Sequence, residues 1–377
     1  MAVSNTLGYY DPLFYAQEGL IILEKALGRS ARVHRGYDRE FKQKGSTTAI
    51  SRPSTFVAAD APSSSQNLET GQVTIPLSYW KEVKFSLSDK ELSLSRENII
   101  QDHIRPAAYA LADDVDANLA LLANDVPWYY DIASTTEYKD LTRSKKVLRD
   151  NKVPFNDGRL HYCCGSELEA GFLELFANAN FAGDSSQTAQ LNGTMGVRSG
   201  VELFANNNVN SHTKGTASTG TLAVNGAATK GATTINLDAA SVTGTLVPGD
   251  SFVIAGNAQR YAITGTFTAS TNAFASVTFT PPLAANAAND AVVTVRLDNH
   301  VQNMIFHRNA FALAMAPLSE LGNQLGAKVE TIVDEKSGLV IRSRIFYDGD
   351  SSAVSVALDI LYGIKTLDPN LACICAG

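Results

Sequence analysis

Alternating apolar and polar positions predict strands at several places, and the clearest run covers residues 73–87. One side of this run carries Val, Ile, Leu, Tyr and Phe, whereas the other carries mainly Thr, Ser, Glu and Lys. A polar, turn-rich stretch from residue 42 to 71 precedes it and predicts a long projecting hairpin whose return arm is this strand. A hairpin of that kind cannot bury its own surface, so we expect other chains to cover it.

Apolar residues at helical spacing predict helices in five segments. The first, 13–27, is short and amphipathic, with Leu20 and Leu23 on its apolar side, and it needs a surface to lie on. The longest, 95–124, contains Pro106, which should kink the helix or restart it. The other predicted helices are 138–151, 166–178 and 307–318.

The composition changes abruptly between residues 214 and 295. Thr and Ala dominate there, charged residues become scarce, and short alternating runs are separated by Gly, Asn, Asp and Pro. This pattern is typical of a small antiparallel sandwich or barrel inserted into a host domain. The six strands are predicted at 221–224, 233–237, 251–255, 261–264, 275–279 and 291–295.

The host domain is predicted to be α+β, with the long helix packed on a sheet that includes the C-terminal strands. Its hairpin over 328–347 turns at 335–338, and 354–364 forms the last strand. The remaining host strands are predicted at 159–164 and 301–306.

Charge and composition narrow the function. Lys and Arg number 31 against 38 Asp and Glu, so the net charge is −7, and only 18% of residues are charged. The low fraction of charged residues indicates a surface that is partly covered by partners. The excess of acidic residues argues against a protein dedicated to binding nucleic acid, but not against a shell that encloses it. No apolar run approaches the roughly 18 residues of a membrane span, and the N-terminus lacks the basic start of a secretory signal.

Four groups of residues invite a chemical interpretation, and a structural one is favoured for each. One group is Asp113, Asp114 and Asp116, which could form a metal site or an acid–base cluster. We favour the structural interpretation, in which these carboxylates lie on a solvated helix face or form salt bridges to another subunit. His161 beside Cys163-Cys164 could activate a cysteine nucleophile or could simply belong to a half-buried strand. His307 could be a catalytic base or a packed or capping residue. The glycines of 193–200 suggest a phosphate loop or a turn.

No catalytic motif accompanies these residues. The sequence has no G-x-S-x-G, no H-E-x-x-H and no G-x-x-x-x-G-K-[ST], and its six histidines are scattered. Cys163-Cys164 and Cys373-x-Cys375 match no zinc spacing and are interpreted as reduced thiols in a cytoplasm. We therefore expect no enzyme, cofactor or metal.

The order of elements resembles that of the major capsid proteins of tailed double-stranded DNA phages, which have the Hong Kong 97-type fold. Asn303–Ala314 is similar to a strand-helix segment of that family in which the helix begins His-[basic]-[Asn/Asp]-Ala-Phe-Ala. Gly249–Gly256 is similar to the Gly-Asp-x-φ-x-Ile-Ala-Gly strand of an inserted domain, as in the short-tailed, P-twenty-two-like branch, where that domain is immunoglobulin-like. No Lys/Asn pair for crosslinking between subunits is identified.

The resemblance covers essentially the whole chain and implies a domain organisation. The N-terminal arm, the hairpin called the E-loop, and the P-domain strand with its spine helix come first, followed by an A-domain interrupted by the β insertion and then by the C-terminal P-domain strands. The implied boundaries are 1–35 for the N-terminal arm, 36–78 for the E-loop and 79–137 for the P-domain strand and spine helix. The two parts of the A-domain are 138–213 and 298–328, the β insertion between them is 214–297, and the C-terminal P-domain strands are 329–377.

The resemblance also implies a function. The chain would assemble in the host bacterial cytoplasm into an icosahedral virion shell of pentamers and hexamers, with a scaffolding protein, a portal protein and a possible decoration protein, around DNA held by enclosure and without a membrane. The alternatives are a nanocompartment shell around a protein cargo, and a surface adhesin whose β-sandwich binds glycans. Candidate assembly contacts are Arg52, Asp60, Glu69, Leu20 and Leu23.

Overall fold

A computed structural model of the chain divides into two compact units. Unit 1 comprises Met1–Leu27, Arg35–Val115 and Ala312–Lys365, and unit 2 comprises Gly28–His34, Asp116–Phe311 and Thr366–Gly377. The structure describes residues 16–17, 19–20, 28–35, 47–52, 60–61, 71–88, 103–133, 135–155, 157–177, 193, 195–320, 327–333, 339–348 and 353–377.

The described residues contain three α-helices with defined bounds, helical residues at 16–17 and 19–20, several 3-10 turns and many strands. The helices are α1 Arg105–Leu121, α2 Tyr138–Asp150 and α3 Ser166–Ala177, and the 3-10 turns are Ser30–Arg32, Leu122–Asp125, Arg308–Ala310 and Pro369–Leu371. The first eight strands are β1 Thr47–Arg52, β2 Gly71–Pro76, β3 Tyr79–Ser88, β4 Tyr129–Asp131, β5 Leu160–Cys164, β6 Val197–Arg198, β7 Val201–Ala205 and β8 Ser211–His212. The next ten are β9 Ser218–Thr219, β10 Leu222–Val224, β11 Thr234–Asp238, β12 Val242–Thr243, β13 Thr245–Leu246, β14 Ser251–Ile254, β15 Arg260–Ile263, β16 Phe267–Thr268, β17 Ala273–Thr280 and β18 Val292–Arg296. The last six are β19 His300–His307, β20 Phe311–Met315, β21 Lys328–Val333, β22 Val340–Asp348, β23 Ala353–Thr366 and β24 Ala372–Ala376.

Unit 1 is built on a five-stranded antiparallel sheet around β23, which pairs with β22, β3 and β20. The predicted hairpin of 328–347 is confirmed as β21 and β22, whose register runs from Lys328 opposite Ile345 to Val333 opposite Val340. The predicted turn at 335–338 lies outside the described residues. β1 and β2 form a separate two-stranded ribbon.

One prediction for unit 1 needs correction. The strand predicted over 73–87 is divided into β2 and β3, because the chain leaves β1 after Pro76 and takes β23 as its partner from Tyr79. The long helix is described from a π-type turn at residues 103–104, and its α-helical part begins at Arg105, so Pro106 lies in the first α-helical turn. This change of helix type beside Pro106 agrees with the predicted restart; residues 95–102 lie outside the described part.

Unit 2 contains a mixed sheet in the order β4-β24-β19-β5-β7-β6, with β8 also paired to β19. α2 and α3, which confirm the predictions for 138–151 and 166–178, pack on this sheet through Leu141, Leu148, Leu168, Phe172 and Phe176. The prediction that 354–364 ends the fold is wrong, because β24 follows and lies inside this sheet between β4 and β19.

The helix predicted at 307–318 is also wrong. His307 caps a short 3-10 turn, and β20 follows it. All five residues of β20 are buried, so both of its faces are covered and pairing with β23 prevails over the helical tendency of an Ala-rich segment.

The insertion forms a closed barrel of six strands, in the order β10-β11-β17-β15-β14-β18. Each predicted strand of the insertion has its counterpart in this ring, so the structure selects the barrel from the two predicted arrangements. Its interior is filled by aliphatic and aromatic side chains, among them Phe252, Tyr261 and Phe279, whose rings lie 5.2–5.4 Å apart. An immunoglobulin-like domain is a sandwich of two sheets, and the closed ring does not confirm that part of the resemblance.

Candidate assembly surfaces

The ribbon of β1 and β2 is the first candidate surface. Its strands pair from Thr47 opposite Pro76 to Arg52 opposite Gly71, and within the described residues neither strand pairs with any other. Ile75 is fully buried, whereas Thr74 and Pro76 are exposed. A two-stranded ribbon is only marginally stable in water, so the ribbon gains from a covering partner.

The predicted contact residues have different places. Arg52 is the last residue of β1, at the end of the ribbon that leads to the hairpin tip. Asp60 is exposed, and Leu20 is half-buried in a helical stretch. Glu69 and Leu23 lie outside the described residues. The role of these residues as assembly contacts stays a prediction.

A buried ionic network joins three strands of unit 1. Asp359 of β23 is fully buried and accepts hydrogen bonds from the guanidinium group of Arg342, of which the Nε–Oδ1 bond measures 3.2 Å. Arg344 Nε lies 3.2 Å from Asp359 Oδ2, and its Nη2 is 2.8 Å from Glu82 Oε2 on β3. Removing one member leaves a buried charge uncompensated, so the network specifies the pairing of β22, β23 and β3.

Trp80 lies beside this network and is the most exposed aromatic residue of unit 1 within the described part of the chain. Its side chain is 59% exposed while its indole N–H donates to Asp359 Oδ2 at 3.4 Å. Glu82, Lys84 and Ser86 alternate with covered residues along the same strand, in agreement with the predicted covered side of 73–87. An anchored, exposed tryptophan is the kind of residue that dominates protein–protein interfaces.

Of the three carboxylates predicted as a solvated face or as salt bridges to another subunit, Asp113 is exposed, whereas Asp114 and Asp116 have partners inside the chain. Asp114 accepts hydrogen bonds from Lys81 at 2.8 Å and from Tyr362 at 2.6 Å. Asp116, in contrast, is buried and accepts from three successive backbone amides, Gly28, Arg29 and Ser30, at 2.8–3.2 Å. Asp116 therefore fixes the segment 28–30 on the last turns of α1.

The His161 and Cys163 pair is buried in a strand and does not form a nucleophilic site. His161 Nδ1 lies 2.8 Å from Glu202 Oε2, and burial lowers the pKa of His161. The hydrogen bond from Arg32 lowers the pKa of Glu202, which keeps this carboxylate charged. Burial raises the pKa of Cys163 although Arg29 lies 3.2 Å from its sulfur, so the thiol stays protonated and inaccessible. The strand is fully buried, not half-buried as predicted.

His307 has the capping role predicted for it. Its Nδ1 accepts from the Asn309 amide at 3.2 Å, and its Nε2 lies 2.9 Å from Asp157 Oδ2. The imidazole is almost entirely buried and is therefore unavailable as a general base.

The barrel is anchored at its base by a buried aspartate. Asp250 accepts from His212 Nε2 at 3.0 Å and from the amides of Gly215 and Val247 at 3.2 and 2.9 Å. Gly249 has φ +97, and a Cβ there would lie 2.8 Å from His212 Nδ1, so glycine is required for this turn. These contacts explain the Gly-Asp pair of the sequence motif, which sequence reasoning could match but not interpret.

Two arginines of the barrel strengthen this attachment. The guanidinium groups of Arg260 and Arg296 lie 4.2 and 3.9 Å from the centre of the Tyr129 ring, and Arg296 also pairs with Asp131. Since Tyr129 and Asp131 belong to β4, the barrel is attached to the host sheet of unit 2 by cation–π and ionic contacts.

A cavity of about 500 Å³ at the start of α3 is lined by Glu167 and Asn303 among others, and Glu167 is its one titratable side chain. No group of three His, Cys, Asp or Glu suited to a metal ion occurs in the part of the chain that the structure covers. None of the described helices is long and apolar enough to cross a membrane.

Comparisons with known proteins give structural likenesses only. No protein-family model and no curated protein matches the sequence. The fold is similar to a chain of Mycobacterium phage Che8, with 14% identity and a TM-score of 0.49 over 91% of this chain and 88% of that one. It is also similar to the capsid of Cyanophage P-SCSP1u, with 10% identity, a TM-score of 0.45 and coverage of 92% and 85%. A virus-like particle from Pyrococcus furiosus gives 8% identity, a TM-score of 0.42 and coverage of 96% and 97%.

Proposed function

We propose that this chain is the major coat subunit of a tailed phage, and that many copies assemble into an icosahedral shell around double-stranded DNA. The observation that supports this proposal most is the ribbon of β1 and β2. It is a two-stranded element of a kind that is marginal alone, and it carries the hairpin that the sequence predicts to project. In a closed shell, a neighbouring copy would cover it.

The rest of the chain agrees with a structural role. Several polar residues hold the fold: Asp116, Asp250 and Asp359 accept hydrogen bonds from backbone or side-chain donors, and His307 caps a turn. The exposed Trp80 supplies an anchor for a protein partner. The resemblance of the motifs is the basis for three further parts of the proposal. These are the scaffolding and portal proteins, the pentamers and hexamers, and assembly in a bacterial cytoplasm.

The test is sedimentation and negative-stain microscopy of the recombinant chain, expressed alone and with its neighbouring genes. We expect closed or aberrant shells tens of nanometres across. DNA inside shells from infected cells would support the phage role, whereas a protein cargo would mean a nanocompartment. A stable monomer under all conditions would contradict the proposal.

A further inference from the structure

The exposed side of α2 concentrates positive charge in an otherwise acidic protein. Residues 139–152 hold six of the 31 Lys and Arg and two of the 38 Asp and Glu. The rest of the chain therefore has 25 cations and 36 acids, a net charge of −11, against +4 for this segment. The basic residues are Lys139, Arg143, Lys145, Lys146, Arg149 and Lys152.

Burial of the opposite side of the helix explains why these cations share a surface. Leu141, Ser144 and Leu148 are buried against the sheet of unit 2, at the spacing of one helical face. The basic side chains occupy the remaining sides, and from Lys139 to Arg149 the helix rises by about 15 Å. We call the surface formed by the six basic residues the basic face.

Half of the basic face is not neutralised within the described chain. Lys139 pairs with Glu137 at 2.7 Å, and Lys146 pairs with Asp150 at 2.5 Å. Arg143, Arg149 and Lys152, in contrast, have no carboxylate partner among the described residues, and Arg149 lies over the Phe155 ring at 5.1 Å. Three uncompensated cations within one helix and its end repel each other, so a polyanion would be attracted to this surface.

The chemistry of the basic face suits phosphate better than protein. Protein interfaces are depleted in Lys and are centred on aromatic or apolar anchors, and α2 exposes no large apolar side chain. Interfaces with DNA are more polar and much more positively charged, and Lys and Arg neutralise successive phosphates without reading bases.

We propose that the basic face of α2 binds the phosphate backbone of double-stranded DNA without sequence preference. The choice of DNA as the polyanion rests on the proposed function. It revises the expectation that enclosure alone holds the DNA, because one surface of each subunit would then contact it directly. The helix α3 carries Glu167, Glu169 and Glu174 and no basic residue, so it does not extend the basic face.

The test is fluorescence anisotropy of the full chain with two unrelated duplexes of equal length, between 50 and 200 mM salt. The variant combines Arg143→Gln, Arg149→Gln and Lys152→Asn, the last because asparagine tolerates the φ of +59 at that position. We expect equal affinity for both duplexes in the unmodified chain. In the variant, the slope of log K against log salt should shrink by about 2.7, and affinity at 0.1 M salt should fall at least about tenfold.

The matched control removes three exposed cations elsewhere through Lys214→Gln, Lys230→Gln and Lys328→Gln. It should bind DNA as the unmodified chain does. An unchanged slope in the α2 variant, or an equal loss in the control, would overturn the inference. A shift in sedimentation of the DNA-free α2 variant with unchanged DNA affinity would also overturn it, because the partner would then be an acidic surface of another copy. Shell formation is measured separately by sedimentation and negative-stain microscopy. Failure of the proposed function can therefore be distinguished from failure of the DNA-binding proposal.

Discussion

The barrel and the ribbon differ in whether the edges of their strands are paired. The barrel closes six strands into a ring, so each strand has two neighbours and the core is sealed from water. The ribbon pairs two strands with each other alone within the described residues. Closure removes the unpaired edges through which β structures associate, whereas an open ribbon retains them. This difference supports the proposal that a partner covers the open edges of the ribbon.

The contrast extends to polar residues. At the base of the barrel the buried Asp250 accepts hydrogen bonds from two backbone amides and from His212, which belongs to β8 outside the barrel. The ribbon, in contrast, ends at Arg52, a charged residue beyond which the sequence predicts the hairpin tip. Changes in the barrel should therefore act on the free energy of unfolding, and changes in the ribbon on assembly.

The largest expected effect on stability is that of Phe252→Ala in the barrel. Phe252 is 1% exposed and contacts the rings of Tyr261 and Phe279, so the substitution leaves a cavity and should cost about 3–5 kcal/mol. Denaturant unfolding measures it, with Val292→Ala, at a 45% exposed position, as the control. A loss below about 1 kcal/mol would mean that the barrel core is loosely packed.

A smaller effect is expected from acid at the junction between barrel and host. Burial lowers the pKa of His300 below its ordinary 6.5, so the folded state prefers the neutral imidazole. The contribution of His300 to the free energy of unfolding is therefore fully present above pH 6.5. It is lost as the pH falls below that value, by at most about 1.4 kcal/mol per pH unit. Unfolding measured from pH 7.5 to 5 tests this.

His300→Gln should weaken that pH dependence without abolishing it, because burial lowers the pKa of His34 and of His161 as well. The ribbon strands contain no histidine, so the comparison also predicts that their local stability is insensitive over this range. Equal acid sensitivity in His300→Gln and the unmodified chain would contradict the assignment.

The smallest effect on stability is expected for Arg52→Glu. A surface charge reversal at the end of a strand should change the free energy of unfolding by less than about 0.5 kcal/mol. Assembly, in contrast, should be impaired, because the reversed charge meets the surface of another copy. Sedimentation of Arg52→Glu beside Arg52→Lys, which keeps the charge, separates the two effects; normal shells from Arg52→Glu would count against the hairpin contact.

Local patterns predicted the barrel strands, α2, α3 and β23 because each has a clear period and a marked end. β20 and β24 were missed for a shared reason: the Phe311–Met315 and Ala372–Ala376 strands are buried on both faces and show no alternation. A short, uniformly apolar and Ala-containing run is compatible with helix or strand, and only the pairing of β20 with β23 and of β24 with β19 decides.

The polar contacts were less accessible to sequence reasoning. Asp113, Asp114 and Asp116 are almost consecutive, yet helical geometry turns Asp114 towards Lys81 and Asp116 towards the amides of 28–30. Both partners are distant along the chain, and no local signal marks them. The network around Asp359 was missed for the same reason, since its members belong to three strands.

Hydrogen exchange of the free subunit and of assembled shells tests the central comparison most directly. Amides of residues 47–52 and 71–75 should exchange rapidly in the free subunit and become protected in shells, because a second copy covers them. Amides of the six barrel strands should be protected equally in both states. A ribbon already protected in the free subunit, or unprotected in the shell, would contradict the account.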